Sequence, residues 1–313
     1  MTQRALLLVN RHARRGRETL DQVVKQFQVL GFELFEESTE KPQQIPNIIR
    51  SYRDRVDLVI VGGGDGTLNA AIEGLLDTQL PLGILPLGTA NDLARTLGIP
   101  QSIAQACQVI ALGYSQRIDL GRVNHKHFFN VASLGLSVQI TRQLDKQAKR
   151  TWGVLAYAVT AMRVIWKARP FRAEIRLGRE SIYVRTVQIA VGNGRYYGGG
   201  MAVADDAAID DQRLDLYSLE CQHWWQILIW LPAIWLGKHS RWQGVRTLEG
   251  KAFEIYTRRP VPINADGEIV TQTPAKFHLV PKALTVFVPN ASPNAGQLSG
   301  DKQQITEKVT EKG

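Results

Sequence analysis

The chain has 313 residues, 44% of them hydrophobic, and carries 38 basic against 29 acidic residues, a net charge of +9. This length favours two domains over one, and the charge favours an anionic partner: a nucleotide, a nucleic acid or an acidic membrane face. Nucleic acid is excluded as the main hypothesis because no helix-turn-helix, zinc-finger or aromatic RNA-binding signature is present. The two cysteines, Cys107 and Cys221, fit no metal or redox spacing, so a reducing cytoplasm is expected.

No segment of the sequence predicts a leader peptide or a membrane span. The apolar run 5–9 is too short for a signal peptide and predicts a first strand instead. No stretch reaches the roughly 18 uninterrupted apolar residues that a membrane span needs. We therefore expect a cytoplasmic protein.

The first half of the chain alternates predicted strands with predicted helices. Strands are predicted at 5–9, 32–35, 57–61 and 83–86, and helices at about 20–30, 45–52, 68–76, from 91 or 92 onward, and 103–112. This alternation predicts a parallel sheet covered on both faces, with ligands at the carboxyl ends of its strands. Residues 1–120 are therefore predicted to form an α/β nucleotide-binding domain.

A run of aliphatic residues ends in the glycine-rich sequence GGGDGT at 62–67, followed by a helical pattern. Glycines let a ligand approach the backbone, and the first amides of a helix attract phosphate. The alternative is an ordinary tight turn. Asp65 would repel phosphate, which indicates a metal or a proton transfer. The spacing matches neither G-x-x-x-x-G-K-[ST] nor G-x-G-x-x-G.

A second motif, LPLGTANDLAR, occupies residues 85–95, and Asn91 or Asp92 is a good N-cap for the next helix. Together the two motifs resemble the catalytic domain of the diacylglycerol kinase and sphingosine kinase superfamily, in particular its bacterial soluble lipid kinases. NAD kinases and phosphofructokinases share the first loop. The resemblance implies ATP as the phosphoryl donor and a lipid hydroxyl as the acceptor, with diacylglycerol and its product phosphatidate as the first hypothesis.

The second half, residues 121–282, predicts a mainly β domain. Short strands with frequent turn signals, among them 181–191 and 276–280, favour a sandwich or a barrel, and one long helix is predicted at about 138–167. By resemblance, a last strand near 283–289 returns to the first domain. Residues 291–313 are polar and lack aromatics, which predicts a disordered tail.

The nucleotide-binding candidates follow the predicted strand ends. Loop amides and the Thr67 hydroxyl can cradle phosphates, arginine suits phosphate through its planar fork, and Thr89 and Asn91 can hold nucleotide or orient the loop. A solvated basic loop is the alternative for Arg14. Thr39 matches a nucleotide-contacting threonine of the resembling family. The full set is Asn10, Arg14, Thr39, Gly63, Gly64, Asp65, Gly66, Thr67, Leu68, Asn69, Thr89 and Asn91.

Three acidic residues are the catalytic candidates. Residues 264–268, NADGE, match a segment of the family's catalytic face, although such a sequence is also a common hairpin turn. The resemblance implies Glu268 as proton acceptor, with Asp266 beside it, and Asp65 in metal-nucleotide binding or loop support. An exchange of roles between Asp65 and the other pair is the alternative.

Two further segments, at 192–201 and 207–216, match the family. The second resembles a structural Mg²⁺ site made by Asp211 with the carbonyls of Ala208 and Arg213, which suits a cation that takes oxygen ligands and waters. Gln212 stands where the family usually has glycine. An acidic surface turn is the alternative.

A tryptophan-rich stretch at 224–236 suggests how the acceptor is reached. Tryptophans with flanking bases are typical of membrane-interface segments, and here they are Trp224, Trp225, Trp230, Trp235, Lys238 and Arg241. The hypothesis is peripheral docking on an anionic inner leaflet. A core helix is the alternative, although Pro232 argues against an unbroken one.

Other functions and substrates stay open at this point. The rivals are a phosphotransferase like NAD kinase and an inactive homologue that binds nucleotide or membrane. Ceramide, a sphingoid base and phosphatidylglycerol are alternative acceptors, and a homodimer is a further hypothesis.

Overall fold

The computed structural model describes residues 2–9, 16–38, 41–143, 166, 169–194, 196–197, 201–202, 208–220 and 244–290. Helices are found at α1 (Gly16–Val29), α2 (Ile45–Ser51), α3 (Asp65–Thr78), α4 (Asp92–Thr96), α5 (Ile103–Leu112) and α6 (Leu136–Gln143). Strands are found at β1 (Gln3–Val9), β2 (Phe32–Glu37), β3 (Leu58–Gly63), β4 (Leu82–Pro86), β5 (Ser115–Val123), β6 (Lys126–Phe128), β7 (Val131–Gly135), β8 (Phe171–Leu177), β9 (Glu180–Thr186), β10 (Gln188–Gly192), β11 (Tyr196–Tyr197), β12 (Met201–Ala202), β13 (Leu214–Leu219), β14 (Val245–Gly250), β15 (Ala252–Thr257), β16 (Pro262–Ala265), β17 (Glu268–Gln272) and β18 (Ala275–Phe287).

The N-terminal domain is built on a parallel sheet with the order β2-β1-β3-β4. Every residue of β3 is buried, as expected for a central strand covered on both faces. Its neighbours β1 and β4 carry the apolar runs that the periodicity predicted, and α1, α2, α3 and α5 contribute apolar side chains to the same core. The predicted parallel α/β domain is confirmed.

Strand β18 links the two halves of the molecule. It pairs in parallel with β4 at Val286↔Leu82 and antiparallel with β5 and β15. The sequence predicted separate strands at 276–280 and 283–289, but one strand covers both. Its pairing register to β5 shifts between Val280 and Leu284, and Lys282 in that stretch has a positive φ of 48°. This local irregularity explains why the two apolar runs looked separate.

The C-terminal domain is a β-sandwich, and this part of the fold prediction is also confirmed. Antiparallel strands in the order β14-β13-β10-β7-β16-β17 form the second sheet. Side chains from that sheet, such as Leu134 and Ile189, share one apolar core with Phe253 and Phe277 of the first sheet. Two sheets that bury one common core in this way form a sandwich.

The prediction of one strand over 181–191 is wrong. β9 belongs to the first sheet and β10 to the second, and the chain crosses between them at Val187. The buried Thr186 hydroxyl lies 2.8 Å from the Gln188 carbonyl and 2.9 Å from the Leu219 carbonyl. These side-chain contacts support the crossing, which an apolar run does not reveal.

Some predicted segments lie outside the described residues. Of the long helix predicted at 138–167, the structure describes α6, which ends at Gln143, and Trp166. The stretch 291–313 is likewise outside. Within the described ranges, no helix combines the length and the hydropathy that crossing a bilayer requires.

Candidate active site

The glycine loop leads directly from β3 into α3. Gly64 stands at the N-cap position in an extended conformation, and as a glycine it has no side chain that could cap the helix. The amides of Thr67 and Leu68 both donate to the Gly64 carbonyl, whereas the amides before them find no acceptor inside a helix. The helix therefore begins with free N–H groups at its positive end, which is an arrangement that binds anions.

The two glycine motifs touch each other through their backbones. A Cβ added to Gly88 would lie 2.4 Å from the Gly64 Cα, and one added to Gly63 would lie 2.6 Å from the Thr67 side chain. The Leu87 amide also donates to the Gly63 carbonyl at 3.0 Å. Glycine is thus required at Gly88 because the two loops approach so closely, and at Gly63 because the Thr67 side chain lies against it.

Asn91 holds the second motif in shape. Its Oδ1 accepts the Gly88 amide at 2.9 Å, and its Nδ2 donates to the Gly88 carbonyl and to Gln101. Asn91 occupies the N-cap of α4, as the sequence predicted, although its side chain makes no capping bond there and its φ is 52°. The buried amide orients the loop, and the neighbouring Thr89 is exposed.

Asp65 connects the first motif to the second. Its Oδ1 accepts the backbone N–H of Leu93 at 3.2 Å, so the carboxylate in the first turn of α3 braces the helix that follows the second motif. This contact supports a role for Asp65 in holding the loop.

Asp266 is the most heavily hydrogen-bonded carboxylate of the site. Its Oδ1 accepts the amides of Asn130 and Val131, at 3.0 and 3.1 Å. Its Oδ2 accepts the Phe129 amide at 2.7 Å and the Asn69 side chain at 2.9 Å. Burial raises the pKa of the Asp266 carboxyl to about 6, and these four donors oppose the rise. Both oxygens are therefore committed to structure.

Asn69 belongs to this clamp. Its Nδ2 contacts the His127 carbonyl at 3.4 Å as well as Asp266. Glu73, which is also on α3, lies 3.0 Å from the His127 ring and so contacts the same strand, β6. Helix α3 thus holds the second domain on its flank while its N-terminus carries the glycine loop.

Glu268 starts β17 directly after the Asp266 turn and is exposed. A methyl group added at Gly66 would lie 3.9 Å from Glu268 Oε1. The carboxylate therefore faces the first turn of α3, although the two residues come from opposite ends of the chain. The structure therefore brings Glu268 next to Gly66, which follows Asp65 in the first turn of α3.

In residues 208–213, the described part of the acidic loop after β12, the Asp211 carboxylate is already hydrogen-bonded and ion-paired. The Asp211 carboxylate accepts the amides of Ala208 and Arg213, each at 3.1 Å, and the Arg213 Nε lies 3.2 Å from its Oδ2. Burial raises the pKa of Asp211, while the amides and the guanidinium oppose this. A Mg²⁺ ligated by Asp211 would have to compete with that guanidinium. The Mg²⁺ assignment stays a prediction.

Several predicted residues cannot be placed. Asn10, Arg14 and Thr39 lie outside the described residues. So do the interface candidates Trp224, Trp225, Trp230, Trp235, Lys238 and Arg241. Among the residues that are described, no three His, Cys, Asp or Glu side chains gather as a metal centre.

Two sets of structural contacts were not predicted from the sequence. The amides of 129–131 bind Asp266, and backbone amides have no signature in a sequence. Asp119 is buried in β5, where its carboxylate accepts the Gln212 and Lys282 amides at 2.8 and 2.6 Å. An acidic residue inside an otherwise apolar strand is a signal that could have identified it, since buried carboxylates need partners.

Fold and site together have the features of a two-domain phosphotransferase: a helix N-terminus with free amides in an α/β domain faces a carboxylate from a β-sandwich. Comparison with known families agrees. The model described as diacylglycerol kinase catalytic domain matches residues 4–123, and that of the YegS C-terminal NAD kinase beta sandwich-like domain matches 130–288. The chain belongs to the diacylglycerol kinase-like family of lipid kinases.

Individual relatives are similar over most of the chain. A "Probable lipid kinase YegS-like" of Klebsiella pneumoniae is 32% identical, over 81% of this chain and 85% of the relative. A "Diacylglycerol kinase" of Bacillus subtilis is 28% identical, over 86% and 90%. A crystal structure of a diacylglycerol kinase from Bacillus anthracis superposes with a TM-score of 0.79 at 27% identity, covering 92% of this chain and 98% of that one.

Proposed function

We propose that the protein transfers the γ-phosphoryl group of ATP to the free hydroxyl of diacylglycerol and so makes phosphatidate. The observation that carries this proposal is the Glu268 carboxylate facing Gly66 at the uncapped N-terminus of α3. A phosphate site and a proton acceptor then share one crevice. The relatives named diacylglycerol kinase support this acceptor.

The chemistry follows from those two groups. The free amides of the first turn of α3 and the Thr67 hydroxyl hold the phosphates of the nucleotide. The lipid hydroxyl oxygen forms a bond to the γ-phosphorus while the bond from that phosphorus to the β-γ bridging oxygen breaks. The hydroxyl proton goes to Glu268, and ADP leaves with the electron pair of the broken bond.

Asp266 positions Glu268 in this proposal and does not accept the proton. Its two oxygens already receive four hydrogen bonds, which leaves little capacity for a lipid hydroxyl. Because it fixes the turn at 264–268 against both α3 and the β6–β7 connection, it determines where Glu268 stands. Asp65 supports the glycine loop through its bond to Leu93.

Magnesium would enter with the nucleotide, and Asp65 is the carboxylate placed to hold it there. A bound Mg²⁺ neutralises negative charge on the phosphates. Asn10, Arg14 and Thr39 would complete the nucleotide site from the ends of the first two strands.

Access to the acceptor would come from docking on an anionic membrane face on the cytoplasmic side. The net charge of +9 and the bases after the tryptophans support this. Co-sedimentation with vesicles of phosphatidylglycerol and of phosphatidylcholine should show binding to the first alone. Absence of binding to either at low salt would contradict the docking proposal.

The assay uses γ-labelled ATP with Mg²⁺ and separate vesicle samples that contain diacylglycerol, ceramide, sphingosine or phosphatidylglycerol, together with a sample of NAD. Label in phosphatidate supports the proposal. Label in another lipid would support lipid kinase activity but change the identity of the acceptor. Label in NADP alone would reject the proposal of a lipid kinase. The Glu268→Gln variant, assayed in the same way, serves as the negative control.

A further inference from the structure

A second pocket lies on the outer face of the first sheet and shares no residue with the crevice described above. It has a volume of about 390 Å³ and forms where the β5–β6 turn meets β15 and β18. Four basic side chains surround it: Arg122, His125, Lys276 and His278. Arg122 and His278 are direct cross-strand partners, so their side chains stand on the same face.

None of the described residues that line this pocket is acidic. Lys276 Nζ lies 3.1 Å from Glu254, which also accepts the Tyr256 hydroxyl at 2.7 Å. Glu254 therefore compensates Lys276. Arg122 forms no ion pair with a carboxylate in the part of the chain that the structure describes, and the pocket keeps a positive surplus centred on its guanidinium.

The pocket wall is rigidly built. Asn124 has a φ of 52°, its Oδ1 accepts the Lys276 amide at 2.9 Å, and its Nδ2 donates to the Thr271 hydroxyl at 3.0 Å. The Asn124 carbonyl accepts the Arg122 Nε at 3.0 Å. This bond fixes the guanidinium and leaves its terminal nitrogens for a ligand, so that little ordering entropy would be lost on binding.

We propose that this pocket binds a phosphate monoester group. The Arg122 fork matches two phosphate oxygens, as guanidinium groups commonly do, and Lys276, His125 and His278 supply further donors. The Tyr256 ring and Pro274 offer an apolar wall for the carbon skeleton that carries the phosphate. The group could come from a free metabolite or from the head of a lipid phosphate, because both present the same dianion.

Histidine NMR can locate the ligand because the chain has only six histidines. The imidazole resonances are recorded at pH 7 during titration with inorganic phosphate, with glycerol 3-phosphate and with short-chain dihexanoyl phosphatidate. His125→Asn and His278→Asn assign the two pocket signals. His127, which contacts Glu73, serves as the internal control because it does not line the pocket. We expect shifts of His125 and His278 with His127 unchanged.

Variants test whether binding in this pocket causes the expected shifts of His125 and His278. Arg122→Gln should lower the affinity for the phosphate probes, read from the histidine shifts, about tenfold or more. Arg179→Gln, at an exposed arginine in the β8–β9 turn, should leave that affinity unchanged. Thermal melting checks that both variants fold. A response to phosphate and glycerol 3-phosphate identifies a free monoester, and a response to phosphatidate alone identifies a lipid head group. No response of His125 and His278 to any probe, or equal titrations in wild type and Arg122→Gln, would overturn the proposal.

Discussion

The Asn69 side chain donates a 2.9 Å hydrogen bond to the Asp266 carboxylate across 197 positions of sequence. Asn69 lies on the helix that begins at the glycine loop, and Asp266 lies in the turn that carries Glu268. This one contact therefore ties the proposed phosphate-binding end of the first domain to the proposed proton acceptor of the second. The three amides at 129–131 complete the clamp.

Replacing Asp266 with Asn should destabilise the protein by about 2–4 kcal/mol. An amide offers one acceptor oxygen, so two of the four N–H donors would face an NH₂ group and stay unsatisfied in a buried place. Urea unfolding measures the change. Asp54→Asn, at an exposed aspartate, is the matched control and should change stability by less than about 0.5 kcal/mol. An Asp266→Asn variant as stable as wild type would contradict the clamp.

The stability difference between wild type and Asp266→Asn should depend on pH. Burial raises the pKa of Asp266 to about 6 from an ordinary value of 3.8, so the folded state holds this proton more tightly than the unfolded state. The contribution of the group to the free energy of unfolding is complete below about pH 4 and is lost as the pH rises through 6. Urea midpoints at pH 4, 5, 6 and 7 should show the difference narrowing; a difference that widens with pH would mean that the four donors lower the pKa.

Replacing Glu268 with Gln should reduce kcat by roughly 10²–10⁴-fold, the range for loss of a general base. Stability should change by less than about 0.5 kcal/mol because the side chain is exposed. Steady-state kinetics with the lipid acceptor, together with a melting curve, test both statements. Glu180→Gln, at the exposed first residue of β9, should be fully active. Near wild-type turnover of Glu268→Gln would remove Glu268 as the proton acceptor.

Gly66→Ala should fold normally and lose activity. The added methyl group would have ordinary contact distance, 3.9 Å, to Glu268 Oε1, and alanine is favoured over glycine in a helix by about 1 kcal/mol. The methyl group would nevertheless project into the crevice where the phosphate must lie. We expect kcat/KM to fall at unchanged or higher melting temperature.

Gly63→Ala provides the contrast, since its Cβ would meet the Thr67 side chain at 2.6 Å. That variant should lose stability as well as activity, because either the backbone or Thr67 must shift. If Gly66→Ala were fully active, the space between α3 and Glu268 would not be the reaction site. Equal melting of the two variants would contradict the packing of the loop.

Gln212→Gly should stabilise the protein by up to about 1 kcal/mol. Gln212 has a φ of 59°, a left-handed conformation that costs an ordinary side chain about 1–2 kcal/mol, partly offset by the greater freedom of glycine in the unfolded chain. The substitution keeps the Gln212 amide that donates to Asp119. Thermal or urea unfolding measures the effect, and a loss of stability would show that the Gln212 side chain makes a stabilising contact.

The sequence by itself determined the α/β domain, the position of the glycine loop and the family, because periodicity, glycine spacing and motif order are local properties of a chain. It also singled out Asp65, Asp266 and Glu268 as the acids of interest. It did not separate their structural environments. Asp266 and Glu268 lie two positions apart in one turn. From residue type alone they are equivalent acids.

Tertiary structure decided the rest, since long-range contacts made by backbone groups have no sequence pattern. The amides at 129–131 commit Asp266 to a clamp, and the approach of β17 to α3 puts Glu268 beside Gly66. The same reason explains the two strand errors, at 181–191 and 276–289, where sheet pairing rather than apolar character set the ends. Which acid is held by four donors and which one faces the proposed phosphate site depends on distances that only the folded chain creates.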